Sequence, residues 1–306
     1  MSWVWDAPTG VYKNHTLSSQ IRREAIADML FMRWIRPESG YGKGKGESVT
    51  ITRILQLPIA ARVSETDRLP SGRPLIQTKA ITTAEWGFKT EITEFEKNLT
   101  HFDIQNQFQM MLRDQLARTM DKLVADTLKL TVVKYIPTSP ATGTFDTDGT
   151  ASTTATSNLA VGHLREIRDD FRQRKVPTYK GGNYIGVLST KAARGIKNDP
   201  EFREWLAPTT SQPFRDGKLI DIEGFSLYEC NHLDALSDTL ASGVLGEALF
   251  FGNDQAALAE VVSPELRAGL TEDLGRFREF GWVGELDAGL VWETATLSRV
   301  THVTSA

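Results

Sequence analysis

The residues best suited to metal or nucleophilic chemistry are five histidines, His15, His101, His163, His232 and His302, and a single cysteine, Cys230. No two histidines stand three to five residues apart, the spacing that brings two ligands to one metal. A lone Cys230 excludes an intrachain disulfide, a thiolate zinc cluster and an iron–sulfur site. Neither a Gly-x-Ser-x-Gly elbow nor a His-Glu-x-x-His helix occurs. The segment from Gly40 to Gly46 alternates glycine with Tyr41, Lys43 and Lys45 and has the residue types of a phosphate loop. It lacks the four-residue gap before Gly-Lys-Ser/Thr and precedes an expected strand, so it reads as a flexible hinge. Asp146-Thr147-Asp148-Gly149 starts like a calcium loop, but Asn158 falls near the position where the terminal glutamate belongs. Gly181-Gly182-Asn183-Tyr184-Ile185-Gly186 precedes its strand, whereas a dinucleotide loop follows one, and it reads as a β-turn. His163, beside Arg165 and Glu166, reads as a surface histidine, and Glu94, Glu96 and Asp103 as carboxylates that start and solvate a helix. No catalytic residue, cofactor or metal is expected.

Composition narrows the class further. The chain has 306 residues, 40% apolar and 24% charged, which is ordinary for a globular protein and long enough for two lobes or one elaborated domain. Its net charge of −4 is unlike the basic excess of a freestanding nucleic-acid binder. The longest apolar stretches, such as Ala248 to Phe251, fall far short of the roughly 20 residues a bilayer span needs, so no membrane partner is expected. The first residues carry neither a basic leader nor an apolar run, so the chain is expected to stay in the cell that makes it, and the sequons at Asn14 and Asn98 are read as chance.

Apolar periodicity lays out the elements. Residues up to about 16 read as an extended arm, and Ile21, Ala25, Met29 and Met32 predict a helix of about five turns that Pro37 stops. Val49 to Gln56 predicts a strand. Its partner starts near Thr78 and places Trp86, Phe88, Thr90 and Ile92 on one face, so the two long strands are joined by the charged, proline-containing segment 57–77. A long helix is expected over 101–134, with Ile104, Phe108, Met111, Leu112, Leu116, Met120, Leu123, Val124 and Leu128 as its apolar stripe and Asp121 on the polar side. Residues 137–158 read as an exposed insertion. Beyond it come a helix ended by Pro177, a buried strand at Tyr184 to Leu188, a helix capped by Ser189-Thr190, and another begun at Asp199-Pro200. Single strands are expected at Lys218 to Tyr228 and Glu247 to Phe251, a helix capped by Asn253-Asp254 over 255–259, and two or three strands after Arg276.

This order resembles the major capsid proteins of tailed bacteriophages. Gly44-Lys45-Gly46-Glu47-Ser48-Val49-Thr50-Ile51, Ser64-Glu65-Thr66-Asp67, Thr93-Glu94-Phe95-Glu96 and Asp114-Gln115-Leu116-Ala117-Arg118-Thr119-Met120-Asp121 are similar to segments of the coat-protein family of N4-related podoviruses. The resemblance implies an α+β chain with the Hong Kong 97-type (HK97-like) capsid fold, divided into an N-arm with a glycine hinge (1–46), a two-stranded E-loop β-hairpin (47–93), a P-domain with a long spine helix (94–136 and 262–306) and an α/β A-domain (137–261). It implies a structural, non-enzymatic protein of the virion, made in the host bacterial cytoplasm. Such a protein self-assembles as hexamers and pentamers of an icosahedral capsid around double-stranded DNA. The implied partners are a portal, a separate scaffolding protein and a decoration protein. The contact residues expected between subunits are Arg62, Glu65, Asp67, Arg68 and Arg73 of the E-loop, and Arg22, Arg23, Arg33 and Arg36 of the arm form an interface or interior surface. Residues 57–77 contain no lysine, so an isopeptide cross-link from the E-loop is not expected. An encapsulin-like nanocompartment shell and an unrecognised cytoplasmic enzyme are the alternative readings.

Overall fold

A computed structural model of the chain describes residues 29–38, 41–60, 62–66, 68–99, 104–179, 181–202, 218–238, 246–269 and 273–306. In chain order, a 3-10 turn at Phe31–Arg33 leads to β1 (Arg36–Pro37), β2 (Ser48–Ile54), β3 (Ile76–Thr82), β4 (Ala84–Thr93), α1 (Glu94–Leu99) and α2 (Ile104–Lys129). There follow β5 (Lys134–Pro137), β6 (Gly143–Asp146), α3 (Val161–Gln173), β7 (Tyr184–Ser189), α4 (Thr190–Asn198), β8 (Lys218–Ile222), β9 (Phe225–Cys230) and β10 (Gly246–Phe251). The described chain ends with β11 (Ala256–Ala268), β12 (Phe277–Leu290) and β13 (Val300–Ser305).

Three sheets result: a seven-stranded sheet ordered β6-β5-β13-β10-β7-β9-β8, a four-stranded sheet ordered β1-β11-β12-β4, and the two-stranded ribbon β2-β3. β7 and β10 are buried at every residue, as expected of central strands covered on both faces. Alternation then sends Tyr184, Leu188, Ala248 and Phe250 into one core with Leu164, Ile167 and Phe171 of α3 and Ile196 of α4. The opposite face, with Ile185, Val187, Leu249 and Phe251, joins a second core with α2 and β12. At 26 residues, α2 is about 39 Å long. Its Leu112, Met120, Val124 and Leu128 share that core with Phe280, Trp282 and Leu286 of β12. The C-terminal stretch feeds both large sheets, β12 the four-stranded one and β13 the seven-stranded one.

Several expectations are corrected. The arm helix does not run to Pro37: only one 3-10 turn forms at Phe31–Arg33, and Arg36 lies in a strand parallel to β11, opposite Ala257. The residue before a proline is pushed toward extended backbone, and Arg36 takes it as it pairs with β11, while Phe31 and Ile35 are buried. The rest of that expected helix lies outside the described residues. The partner of the first long strand divides at Thr83, so β3 pairs with β2 while β4 joins β12 in another sheet. Residues 137–158 are not wholly an insertion, because β5 and β6 form a hairpin on the edge of the large sheet. Lys218 to Tyr228 is two strands, since Glu223 (φ 48°) and Gly224 (φ 76°) both take the left-handed backbone of a tight hairpin turn. The helix expected at 255–259 is the start of β11, where Asp254 turns the chain at φ 57° and Ala256 to Ala259 pair with Asp287 to Leu290. The long helix ends at Lys129, short of the expected 134, and residues 101–103 of its expected start lie outside the described residues; Met111 of its expected stripe is exposed, and Asp121 of its polar side is fully buried. His163 is also buried: its Nδ1 accepts from Ala160 N (2.9 Å) and its Nε2 lies 2.8 Å from the Ser139 carbonyl, so it caps α3.

Gly186 sits where β7 is closest to its neighbours. A Cβ there would lie 2.7 Å from Leu227 Cδ2 and 2.8 Å from Phe250 Cε1. Gly186→Ala is therefore expected to destabilise the fold by about 1–3 kcal/mol through overpacking. A thermal or urea melt equal to that of the parent would show that this core is looser than the packing indicates.

Candidate intersubunit surface

The ribbon β2-β3 forms because threonine and β-branched residues alternate along both strands, and it pairs without a break from Ser48 opposite Thr82 to Ile54 opposite Ile76. The ribbon is fastened to the body along one face. Arg53, 9% exposed, donates to the Val291 carbonyl (2.7 Å), and Lys79 pairs with Glu293. Ile81 packs with Ala257, Ala259 and Val291, and Val49, Ile51, Tyr41 and Trp292 pack around them. The Trp292 ring carries two guanidinium groups, Arg299 at 4.3 Å and Arg53 at 5.9 Å from its centroid.

On the outer face of the ribbon and in the loop beyond it, apolar side chains lose internal partners. Ile59 is 98% exposed and Leu69 81%, and Ile54, Leu57, Leu75 and Ile76 are each more than half exposed. Arg62, Glu65, Arg68 and Arg73 are exposed along the same loop, and Asp67 lies outside the described residues. At the arm, Arg33 and Arg36 are exposed at its root, and Arg22 and Arg23 lie outside the described residues. The described structure thus places four of the five expected E-loop residues, all exposed, on one segment.

Sequence reasoning placed Trp86 and Phe88 on a projecting loop, and the structure moves them to β4, in a sheet of the body. Trp86 is half-buried against the core of α2 and β12, and Phe88 alone of the two stays largely exposed. A second apolar patch went unrecognised: Phe95 and Leu99, four residues apart on one face of α1, are 73% and 70% exposed. Their signal was local. Thr93 and Glu96 form a reciprocal capping box, Thr93 Oγ1 accepting from Glu96 N and Glu96 Oε2 accepting from Thr93 N, both at 3.1 Å, which fixes a helix start at Glu94.

Nothing in this geometry converges as a reaction centre. Asp146 of the calcium-like run accepts from the Ser152 amide (2.7 Å) and hydroxyl, closing a turn. Among the described residues no three His, Cys, Asp or Glu side chains stand together as metal ligands, and no helix is long and apolar enough to cross a membrane. A groove of about 550 Å³ lies between Ile54–Gln56, Gln173–Val176 and Trp292–Arg299. Of its three lining cations, Arg174, Lys175 and Arg299, the two arginines are paired with Asp170 and Asp254.

The joint between α2 and the large sheet is ionic. Glu247 of β10, 5% exposed, accepts from Lys129 at the end of α2 (2.6 Å) and from Ser237 N (2.8 Å), and His302 Nε2 lies 3.4 Å from it. Lys134 Nζ donates to the Lys129 carbonyl (2.6 Å) and lies 3.3 Å from His302 Nδ1. Burial lowers the His302 imidazole below its ordinary 6.5, Glu247 opposing and the two lysines reinforcing the shift. Burial would raise Glu247, but its contacts with His302, Lys129 and Ser237 outweigh it and hold the carboxyl at about 2.

Comparison with known proteins follows the same lines. A family model described as phage capsid protein matches residues 76–297. No curated protein matches the chain. Among solved structures, the cyanophage Pam1 capsid asymmetric unit superposes with a TM-score of 0.70 at 15% identity, covering 99% of this chain and 98% of that one. The acid-stable capsid of Helicobacter pylori bacteriophage KHP30 gives 0.69 at 12% identity over 96% and 95% of the two chains. Mycobacterium phage Che8 gives 0.65 at 15% identity over 96% and 97%. At such identities the shared property is the fold, the α+β architecture expected from the order of elements.

Both groups of the ionic joint bind protons less readily folded than unfolded, so each stabilises the fold above its unfolded pKa and loses that contribution as pH falls. His302 sets the upper window, below about 6.5, and Glu247 the lower one, from about 4.5 toward 2. Urea midpoints are expected to fall on acidification from pH 7, with a slope approaching about 1.4 kcal/mol per pH unit per proton. His302→Gln is expected to flatten the upper window, and stability that rises between pH 7 and 5 would contradict this assignment.

Proposed function

The chain belongs to the phage capsid protein family, and from that premise we propose that it assembles into hexamers and pentamers of an icosahedral head enclosing double-stranded DNA. The observation that carries this reading is the E-loop, its ribbon anchored to the body by Arg53 and Ile81 and its loop open beyond, where Ile59 and Leu69 stand almost fully exposed among arginines. Apolar surface displayed on an extension of the fold is stabilised only by burial against another chain. Charges of both signs beside it, Arg62, Glu65, Arg68 and Arg73, supply register and discrimination between partners.

In this reading the ribbon β2-β3 is the E-loop, α2 with the four-stranded sheet is the body of the P-domain, and the seven-stranded sheet with α3 and α4 is the core of the A-domain. Arg33 and Arg36 belong to the arm interface. The partners are further copies of the chain, a portal, a separate scaffolding protein and a decoration protein, and assembly takes place in the host cytoplasm. The four sequence segments quoted above resemble those of N4-related podoviruses, and that resemblance supports a kinship with them. The role is structural, and no reaction is assigned to it.

Sedimentation velocity and negative-stain electron microscopy, on the protein expressed alone and beside its neighbouring candidate scaffold gene, test the proposal. Closed shells, tubes or rings of five and six are expected, and a monomer or dimer under both conditions would overturn it. The paired charge reversal Arg68→Glu and Arg73→Glu is expected to raise the concentration needed for assembly about 5- to 30-fold, from roughly 1 kcal/mol per exposed contact. Unchanged assembly would remove these two residues from the interface.

A further inference from the structure

The root of the arm is held by a buried charge. Asp121, on α2 and fully buried, accepts from the backbone amides of Phe31 (2.7 Å) and Met32 (3.1 Å) through Oδ1. On the other side of the same segment, Gln255 donates through Nε2 to the Trp34 carbonyl (2.8 Å) and accepts through Oε1 from the Tyr179 hydroxyl (2.8 Å). The Trp34 ring between them meets Tyr179, Tyr228 and Phe251 at centroid distances of 5.4–6.4 Å. Arg36 and Pro37 then add a parallel strand to β11, continued by a Glu38 amide bond to the Leu258 carbonyl (2.8 Å). A buried carboxylate is costly unless its acceptors are used, and here Oδ1 is committed to backbone amides of another segment, not to a cation. Its Oδ2 has no hydrogen-bond partner among the described residues and lies 3.5 Å from His232 Nδ1, itself without one.

We propose that Asp121 and Gln255 form a two-point clamp on the backbone of residues 31–34, and that this clamp fixes where the arm leaves the subunit and so which part of a neighbouring subunit it can reach. Apolar packing of Phe31 and Trp34 alone would leave the segment free to rotate about its side chains. Two amides and a carbonyl held from opposite elements remove that freedom, because hydrogen bonds are directional where apolar contact is not. The assembly consequence rests on the capsid reading; the clamp itself does not.

Two measurements on the full chain separate these. Hydrogen exchange on Asp121→Ala, Asp121→Asn and Gln255→Ala is expected to show faster exchange at the amides of Phe31 and Met32 in Asp121→Ala by about tenfold or more, with β10 and β13 still protected. Asp121→Asn keeps an acceptor oxygen and is expected to restore most of the protection. Exchange at 31–32 unchanged in Asp121→Ala, or lost equally across β10 and β13, would overturn the clamp. In electron micrographs, Asp121→Ala particles are expected to be irregular or open where the parent forms closed shells. Faster exchange with normal shells would overturn the link to assembly, whereas a parent that forms no particle at all would fail the capsid reading and leave the exchange result standing.

Discussion

The structure depends on one apolar seam, the burial of α2 between two sheets. Leu112, Met120, Val124 and Leu128 on the helix face Phe280, Trp282 and Leu286 of the four-stranded sheet and Val187, Leu249 and Phe251 of the seven-stranded one within a single core. Each such side chain contributes roughly 1.5–3 kcal/mol when fully buried. No other described helix reaches both sheets in this way, for α3 and α4 close only the far face of the larger one. Trp282 makes the seam specific as well as cohesive, because its Nε1 donates to Gln115 Oε1 of α2 (3.0 Å) and so fixes the rotation of the helix against the strand.

A body closed in this way leaves its extensions in a different physical position. Every strand of the seven-stranded sheet that carries large apolar residues finds an internal partner, whereas the outer part of the E-loop and the outer face of α1 do not. The contrast is sharpest within one ribbon, where the face that carries Val49, Ile51, Arg53 and Ile81 is turned to the body and the opposite face carries Ile54, 65% exposed. Pairing holds from Ser48 opposite Thr82 to Ile54 opposite Ile76, so the ribbon fixes where the loop beyond it leaves the body.

What was legible in the sequence followed from how strongly one period dominated. The long helix stood out because its apolar stripe repeats over many turns, and the strands at Tyr184 and Glu247 because each is a short, nearly continuous apolar run, and the order of elements carried the fold. The failures lie where a few residues of backbone geometry decide. Glu223-Gly224 folds one apparent strand into a hairpin, and Asp254 turns what reads as a helix cap into the entrance of β11. Polar residues drawn into the interior were the other blind spot. Asp121 and His163 have ordinary polar neighbours in sequence, and the groups that satisfy them, the amides of Phe31 and Met32 and the carbonyl of Ser139, lie 90, 89 and 24 residues away. For the candidate surface, charge in the E-loop was visible while its apolar companions Ile59 and Leu69 were not, because isolated apolar residues in a loop have no period to reveal them.

The two sets of charges divide the labour of such a chain. Inside, Asp121, Glu247 and Arg174 are committed to partners from distant elements: Arg174 donates to the Ser298 carbonyl (2.6 Å) and to Thr301 (2.8 Å) while paired with Asp170. Replacing such groups with well-packed apolar residues often leaves stability unchanged or raises it, so their contribution is to orientation more than to net free energy. They sit where α2 meets the arm, where α2 meets β10 and β13, and where α3 meets the C-terminal strand. Each is a junction at which apolar packing alone would permit sliding. Outside, Arg62, Arg68 and Arg73 of the E-loop are exposed, and in water an exposed ion contributes little until a partner excludes the solvent around it. A fold that fixes its own joints with buried charge and leaves exposed charge beside exposed isoleucine and leucine displays surface that only association would bury, and under the proposed function the chain that buries it is another copy of itself.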